Sequence, residues 1–203
     1  KNLPMNEETL LSIISIQESL HGSHGRRRSK GEIGMHDFDK TSPNYSYTTS
    51  KPKETRFTPL DFSEEMDLDE ILQKHPKGQD YKHILEGTKE YPLVMDKEGV
   101  VSLPPIINAD RTKVTENSSN LFIEMTGTNE LSLKHALNIV LSSLADRGGQ
   151  IVSVKVNGDD LDLSPEKKEI KLEYINKLLG LDLSTKEVGI LLEKMGYGVE
   201  KST

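Results

Sequence analysis

A mixed α/β fold, with helices packed on strands, is what this sequence predicts, and three observations carry it. Leu133, Leu137, Val140, Leu141 and Leu144 fall at helical spacing and Gly148 ends that run, which marks one clear amphipathic helix. Apolar runs at 93–95, 100–103 and 121–125 have strand length and are separated by turn residues. After Ser164-Pro165 the apolar pattern shortens into two helical stripes. The predicted organisation is one α/β domain over 1–163 and a short helical pair over 164–203, with no internal repeat.

Taken in order, Asn6 can cap a first helix with Glu7 and Glu8 in its opening turn and Leu10, Ile13, Ile14 and Leu20 on one face. A polar loop follows over 21–30. Strands are expected at 33–36 and 45–49, and an extended piece over 56–62 is broken by Pro59. Two short helices, 67–74 and 79–86, are expected on either side of Pro76-Lys77-Gly78. The runs at 93–95 and 100–103 read as strands joined by a turn at 96–99. Residues 151–156 read as a strand that turns at Asn157-Gly158 into 161–163. Leu172, Ile175, Leu178 and Leu179 mark a helix closed by Gly180. Ser184 and Glu187 form a capping box that opens the last one.

Composition excludes several classes. The chain has 203 residues and no cysteine, so disulfides, zinc–thiolate sites and a cysteine nucleophile are ruled out. No apolar run reaches the length of a membrane span and no signal-peptide core opens the chain, so a cytoplasmic protein without a membrane partner is expected. Neither Lys1 nor the ending Lys201-Ser202-Thr203 reads as a natural terminus, which suggests a piece of a longer protein. A net charge of −7 argues against a general nucleic-acid binder. Arg26, Arg27, Arg28 and Lys30 are the exception: either a solvated turn after a helix or a local contact to an RNA backbone.

The densest chemistry lies in 91–128, YPLVMDKEGVVSLPPIINADRTKVTENSSNLFIEMTGT. A core strand has no need of Glu124, Thr126, Gly127 and Thr128 so close together, and burying a carboxylate is costly unless it is hydrogen-bonded or used. The structural alternative for Glu124 is a strand-end carboxylate paired with a nearby base. For Ser102 and Thr126 it is satisfied polar residues on strands. Asn108 reads as a turn residue holding the loop after Ile107. His36, Asp37 and Asp39 are metal-ligand types, but three in four residues on an extended segment do not converge on one ion, so no metal site is expected. Gly148-Gly149 lacks the lysine and hydroxyl of a phosphate loop, and no nucleotide-binding signature is present.

Several blocks resemble, in order, the archaeal and eukaryotic type of phenylalanyl-tRNA synthetase β subunit. They are LHGSHGRRRSKGEIGMHDFD over 20–39, Arg56-Phe57-Thr58-Pro59-Leu60, Tyr91-Pro92-Leu93, Pro104-Pro105-Ile106-Ile107-Asn108 and FIEMTGT over 122–128. These match the family's B3/B4 editing region, while 168–200 looks like the opening of its B5 domain, whose helical pair has a helix-turn-helix character. The resemblance implies hydrolysis of the ester of mischarged Tyr-tRNA(Phe). An apolar pocket rejects an added hydroxyl by only about a hundredfold, so a second site removes the error. It also implies tRNA(Phe) and a synthetase α subunit in an α2β2 assembly as partners. ATP and Mg2+ are implied for the whole synthetase, with no cofactor in this part.

Matching blocks, the family's pocket positions fall on Leu93, Ser102, Glu124 and Thr126. Leu93 and Ile106 are expected to wall the substrate ring. Glu124, Ser102 and Thr126 are expected to read the phenol or orient water, and Asn108 and His36 to lie near the substrate. Arg26, Arg27 and Arg28 are the expected RNA contacts. The alternative is a non-catalytic tRNA-binding or scaffold module of the same subunit. The expected geometry is one sheet carrying Leu93, Ser102 and Glu124 around a cleft.

Overall fold

Asn6 opens the first helix. In the computed structural model, which describes residues 1–158 and 162–200, its side chain accepts from the Thr9 N–H at 2.8 Å, and α1 runs Glu7–Gly22. Strand β1 follows at Gly31–Asp37 and is buried along its whole length. Next come β2 (Ser46–Ser50), β3 (Arg56–Phe57) and β4 (Met66–Asp67). Asp67 caps α2 (Leu68–Lys74) through a reciprocal pair: it accepts from the Glu70 N–H at 2.8 Å and Glu70 accepts from its own at 3.1 Å. Helix α3 is Pro76–Tyr81. The sequence reading put a break at Pro76-Lys77-Gly78. The break is one residue earlier, at His75, and Pro76 takes the first helical position, where its missing N–H costs nothing.

Strands β5 (Tyr91–Asp96), β6 (Gly99–Leu103) and β7 (Ile107–Asn108) follow, then β8 (Leu121–Gly127) and α4 (Glu130–Asp146). Helix α5 (Leu172–Leu179) stops at Gly180, whose φ of 65° suits a residue without Cβ. Helix α6 (Thr185–Lys194) opens on the Ser184–Glu187 capping box. Residues 151–156 form no strand: Ile151, Val152, Val154 and Val156 are exposed, and among the described residues no strand pairs with them. The second arm expected at 161–163 begins on a residue outside the described ones.

The chain divides into two compact units, Lys1–Leu163 and Ser164–Thr203. In the first, β1 and β8 form an antiparallel ribbon, with Gly31 opposite Gly127 and Asp37 opposite Leu121. A separate antiparallel sheet has the order β2-β5-β6-β7. One face of the ribbon packs Ile33 and Met35 with Ile13, Leu20, Val140 and Leu144 from α1 and α4. The far face of the sheet packs Leu93, Val100, Leu103 and Ile107 with Phe57, Leu68 and Ile71. Leu93, Ser102 and Glu124 therefore do not share one sheet, as the sequence reading had it. Glu124 stands on the ribbon, Leu93 and Ser102 on the sheet.

Candidate active site

Strand alternation puts Glu32, Gly34 and His36 on one face of β1, with Thr126, Glu124 and Phe122 opposite them on β8. This is the ribbon face turned away from the apolar helices. Across the four-stranded sheet, Tyr47, Val94, Ser102 and Asn108 form one row. The two faces meet: the Ser102 hydroxyl donates to Glu124 Oε1 at 2.7 Å, and Asn108 Nδ2 donates to the Met35 carbonyl at 3.2 Å. A polar seam thus runs between two apolar clusters.

Its members are strongly desolvated. Ser102 and His36 are fully buried and the Glu124 side chain is 8% exposed. Burial pushes the Glu124 carboxyl up to about 7, against the opposing pull of the Ser102 hydrogen bond. Burial pushes the His36 imidazole down to about 4, with Glu32 and Asp96 pulling it back up and Arg111 adding to the depression. His36 Nε2 lies 3.8 Å from Glu124 Oε1, a separation that would suit a loose ion pair if the imidazole were charged. Burial keeps the imidazole neutral, so this contact is not an ion pair. The Thr112 hydroxyl donates to the Ala109 carbonyl at 3.2 Å and so accepts from His36 Nδ1–H at 2.9 Å. That leaves the Nε2 lone pair facing the Glu124 carboxyl. Both His36 Nε2 and Glu124 Oε2 are buried without a hydrogen-bond partner. Two such atoms on neighbouring side chains are costly for a structural role and suited to meeting a substrate or a water.

Gly34 makes the room. A Cβ there would sit 2.8 Å from Glu124 Cδ and 2.9 Å from His36 Nε2, so any side chain would drive the two groups apart. Thr126 donates to Glu32 Oε2 at 3.1 Å, and Glu32 is itself 3% exposed. Next along β8, Tyr45 stacks on Phe122 with ring centroids 3.7 Å apart, and Tyr47 is exposed on the edge strand β2.

A family model described as the B3/4 domain matches residues 12–155. The chain belongs to the B3/4 domain family. It is 43% identical to the phenylalanine–tRNA ligase β subunit of Methanospirillum hungatei across the whole chain and 37% of that protein. To the β subunit of Methanococcus vannielii it is 47% identical over 98% of the chain and 36% of that protein. The crystal structure of an N-terminal fragment of the phenylalanyl-tRNA synthetase β subunit from Pyrococcus horikoshii superposes with a TM-score of 0.92 at 44% identity. That match covers all of this chain and 60% of the fragment. The chain thus spans little more than a third of the curated relatives it matches.

The B3/4 fold brings Ser102, Glu124, Thr126 and His36 to the seam and leaves other expected residues outside it. Leu93 and Ile106 are fully buried in the apolar cluster beyond the sheet, so they are core packing and not walls of the seam. Leu93 follows from alternation: its neighbour Val94 occupies the Ser102 row. Asn108 is a strand residue of β7, not a turn residue. Asp37 turns away from His36 to accept from Ser118 at 2.7 Å, and Asp39 accepts from Asn120 at 2.9 Å.

Arg28 corrects the expectation for the basic run. It is 7% exposed, and its Nη1 donates to the Ile106 carbonyl at 2.9 Å and the Pro105 carbonyl at 3.2 Å. Its Nη2 donates to Glu18 at 3.1 Å, and its guanidinium lies 4.7 Å from the Tyr81 ring centroid. Those bonds leave no free guanidinium face for a phosphate, whereas Arg26 and Arg27 are exposed. The residue that sequence reasoning missed is Glu32. Its signal was available in the alternation Glu32-x-Gly34-x-His36, which sets a carboxyl two positions from a glycine and four from an imidazole on one face.

Proposed function

We propose that this chain is the editing region of a phenylalanyl-tRNA synthetase β subunit and hydrolyses the ester of mischarged Tyr-tRNA(Phe). The observation that carries the reading is the buried Glu124 carboxyl, held by Ser102 and facing the His36 lone pair, with one oxygen unsatisfied. A carboxyl poised near neutrality can accept from a phenol or hold an attacking water, and Phe-tRNA(Phe) would leave a phenol acceptor unpaired. The Phe122–Tyr45 stack supports an aromatic substrate, since it offers ring surface beside the same seam.

The relatives' names, each a phenylalanine–tRNA ligase β subunit, support tRNA(Phe) as substrate carrier and an α subunit as partner. The α2β2 assembly and a cytoplasmic site of action are part of what we propose. ATP and Mg2+ belong to the aminoacylation step, which this reading assigns to other parts of the synthetase. Residues 164–203 would be the opening of the B5 domain. No described helix is long and apolar enough to cross a membrane.

The test compares release of tyrosine and phenylalanine from pre-formed Tyr-tRNA(Phe) and Phe-tRNA(Phe) by the intact synthetase. Faster loss of tyrosine, by tenfold or more, is the expected result. Equal spontaneous rates with retained tRNA binding would leave a tRNA-binding scaffold module instead.

A further inference from the structure

Exposure along the sheet's seam face rises in one direction. In the row that crosses the sheet, Ser102 is 0% exposed, Val94 5% and Tyr47 65%. Val94 belongs to neither apolar cluster, as its place on this face requires. At the other end of the row Asn108 is tied to the Met35 carbonyl, which closes that side against β1. A ligand of the Ser102–Glu124 pair therefore approaches over β2, past Tyr47. Two strand spacings, about 10 Å, separate the Tyr47 and Ser102 positions.

A lone exposed aromatic is ordinary on a protein surface. Tyr47 differs in its position and in what it lacks. Among the described residues its ring has no stacking partner and its hydroxyl no hydrogen bond. Tyr45, two positions earlier, has its ring on Phe122 at 3.7 Å and its hydroxyl on Thr41 at 2.6 Å. Partial burial and the Glu124 and Glu32 carboxyls raise the Tyr47 phenol above its ordinary value, as suits a ring beside the seam. The strand that carries it, Ser46–Ser50, is uncharged in a chain of net charge −7. Edge strands are commonly guarded by charge; this one leaves an anionic ligand free to approach. The carboxyl bonded to it is Glu90, which accepts from Thr49 at 2.5 Å, beyond Tyr47 along the strand.

We propose that Tyr47 is the platform on which the unpaired terminal base of the ester-bearing tRNA stacks. This rests on the editing reading and deepens it by naming where the nucleotide lies. The substrate binds with its amino acid toward Glu124 and its ribose toward β2. A ribose sets its base off from its ester by a distance of the same order as the Tyr47–Ser102 spacing, so the base arrives over the Tyr47 ring. Every base has a π face, so the contact supplies affinity and alignment without reading sequence. The tyrosyl ring of the substrate is the other flat group at hand, but its phenol has to reach a buried acceptor, and Tyr47 stands on the solvent side. A stack made equally before and during hydrolysis lowers KM and leaves the chemical step alone. Tyr47 is thus a substrate-binding residue and not a catalytic one.

Two measurements on the intact synthetase test the platform. With Tyr-tRNA(Phe), Tyr47→Ala should raise the KM for deacylation about tenfold or more, the usual worth of one stacked base, with kcat near the parent's. Tyr47→Phe should keep the parental KM. A parental KM in Tyr47→Ala overturns the proposal. So does a Tyr47→Phe variant as weak as Tyr47→Ala, which makes the contact a hydroxyl bond. The second readout needs no hydrolysis: tRNA(Phe) with 2-aminopurine as its terminal base and tyrosine joined to it through an amide. Its fluorescence should be quenched on binding the parent and Tyr47→Phe and stay bright on Tyr47→Ala. A raised KM with equal quenching on all three assigns Tyr47 to the tyrosyl ring and overturns the base contact. Failure of the unaltered synthetase to release tyrosine overturns the editing reading itself, and the amide probe then still decides the stacking.

Discussion

The two faces of the β1–β8 ribbon are equally hidden from water and hold opposite chemistry. On one, Ile33 and Met35 are 3% and 7% exposed; on the other, Glu32 and His36 are 3% and 0% exposed. Burying the first pair is favourable by about 25 cal/mol for each Å² removed from water. Burying the second is unfavourable unless hydrogen bonds and protonation state compensate. The seam compensates by staying neutral, with its carboxyls kept protonated toward pH 7 and its imidazole kept uncharged. One face of the ribbon therefore holds the fold together, and the other carries the groups that the proposed hydrolysis would use.

The sharpest way to break this contrast is on the apolar face. Ile33→Ala leaves a cavity between α1, α4 and the ribbon and should cost about 2–5 kcal/mol, read from chemical denaturation. The same size of cost from Glu124→Gln would erase the difference between the faces.

The polar face should respond to pH in the opposite sense. The folded Glu124 pKa, about 7, lies above the unfolded value of 4.5. The stability tied to its proton is thus fully present below about 4.5 and lost as pH rises through 7. Glu32 behaves likewise. His36 is depressed from 6.5 to about 4, so its share is present above 6.5 and lost as pH falls toward 4. Two carboxyls outweigh one imidazole, and the melting temperature should fall between pH 5 and 7.5. Glu124→Gln should flatten that fall by at most about 3 kcal/mol, at about 1.4 kcal/mol per unit. A variant that tracks the unaltered protein at every pH would remove Glu124 from the seam's titration.

A smaller effect separates the three arginines. Arg28→Ala strips donors from the Pro105 and Ile106 carbonyls and should cost about 2 kcal/mol. Replacing Arg26 and Arg27 together should change stability by under about 0.5 kcal/mol. If they contact RNA, the double variant should weaken tRNA binding and lower its salt slope by up to about two. A salt series identical to the parent's would leave them as a solvated turn.

Much of this was legible from local patterns. Asn6, Gly180 and the Ser184–Glu187 box each satisfy a helix end by themselves, so their meaning does not depend on distant residues. Pro76 could have been read the same way, as a first-turn proline. What depends on distant chain was not legible. Leu93 and Ser102 lie nine positions apart on neighbouring strands, and which faces they take depends on the bulge near Val94–Met95 and the register beyond it. The strand at 33–36 was legible, but nothing local told that a second sheet would cover its polar side. The run at 151–156 alternates well and yet, among the described residues, has no strand partner.

The central claim is that the polar seam is a hydrolytic site, and Glu124→Ala in the intact synthetase tests it most directly. With Tyr-tRNA(Phe) as substrate, the deacylation rate is expected to drop at least tenfold while tRNA affinity and the melting temperature at pH 7 stay near the parent's. A variant that clears Tyr-tRNA(Phe) at the parental rate would contradict the account and return Glu124 to a packing role.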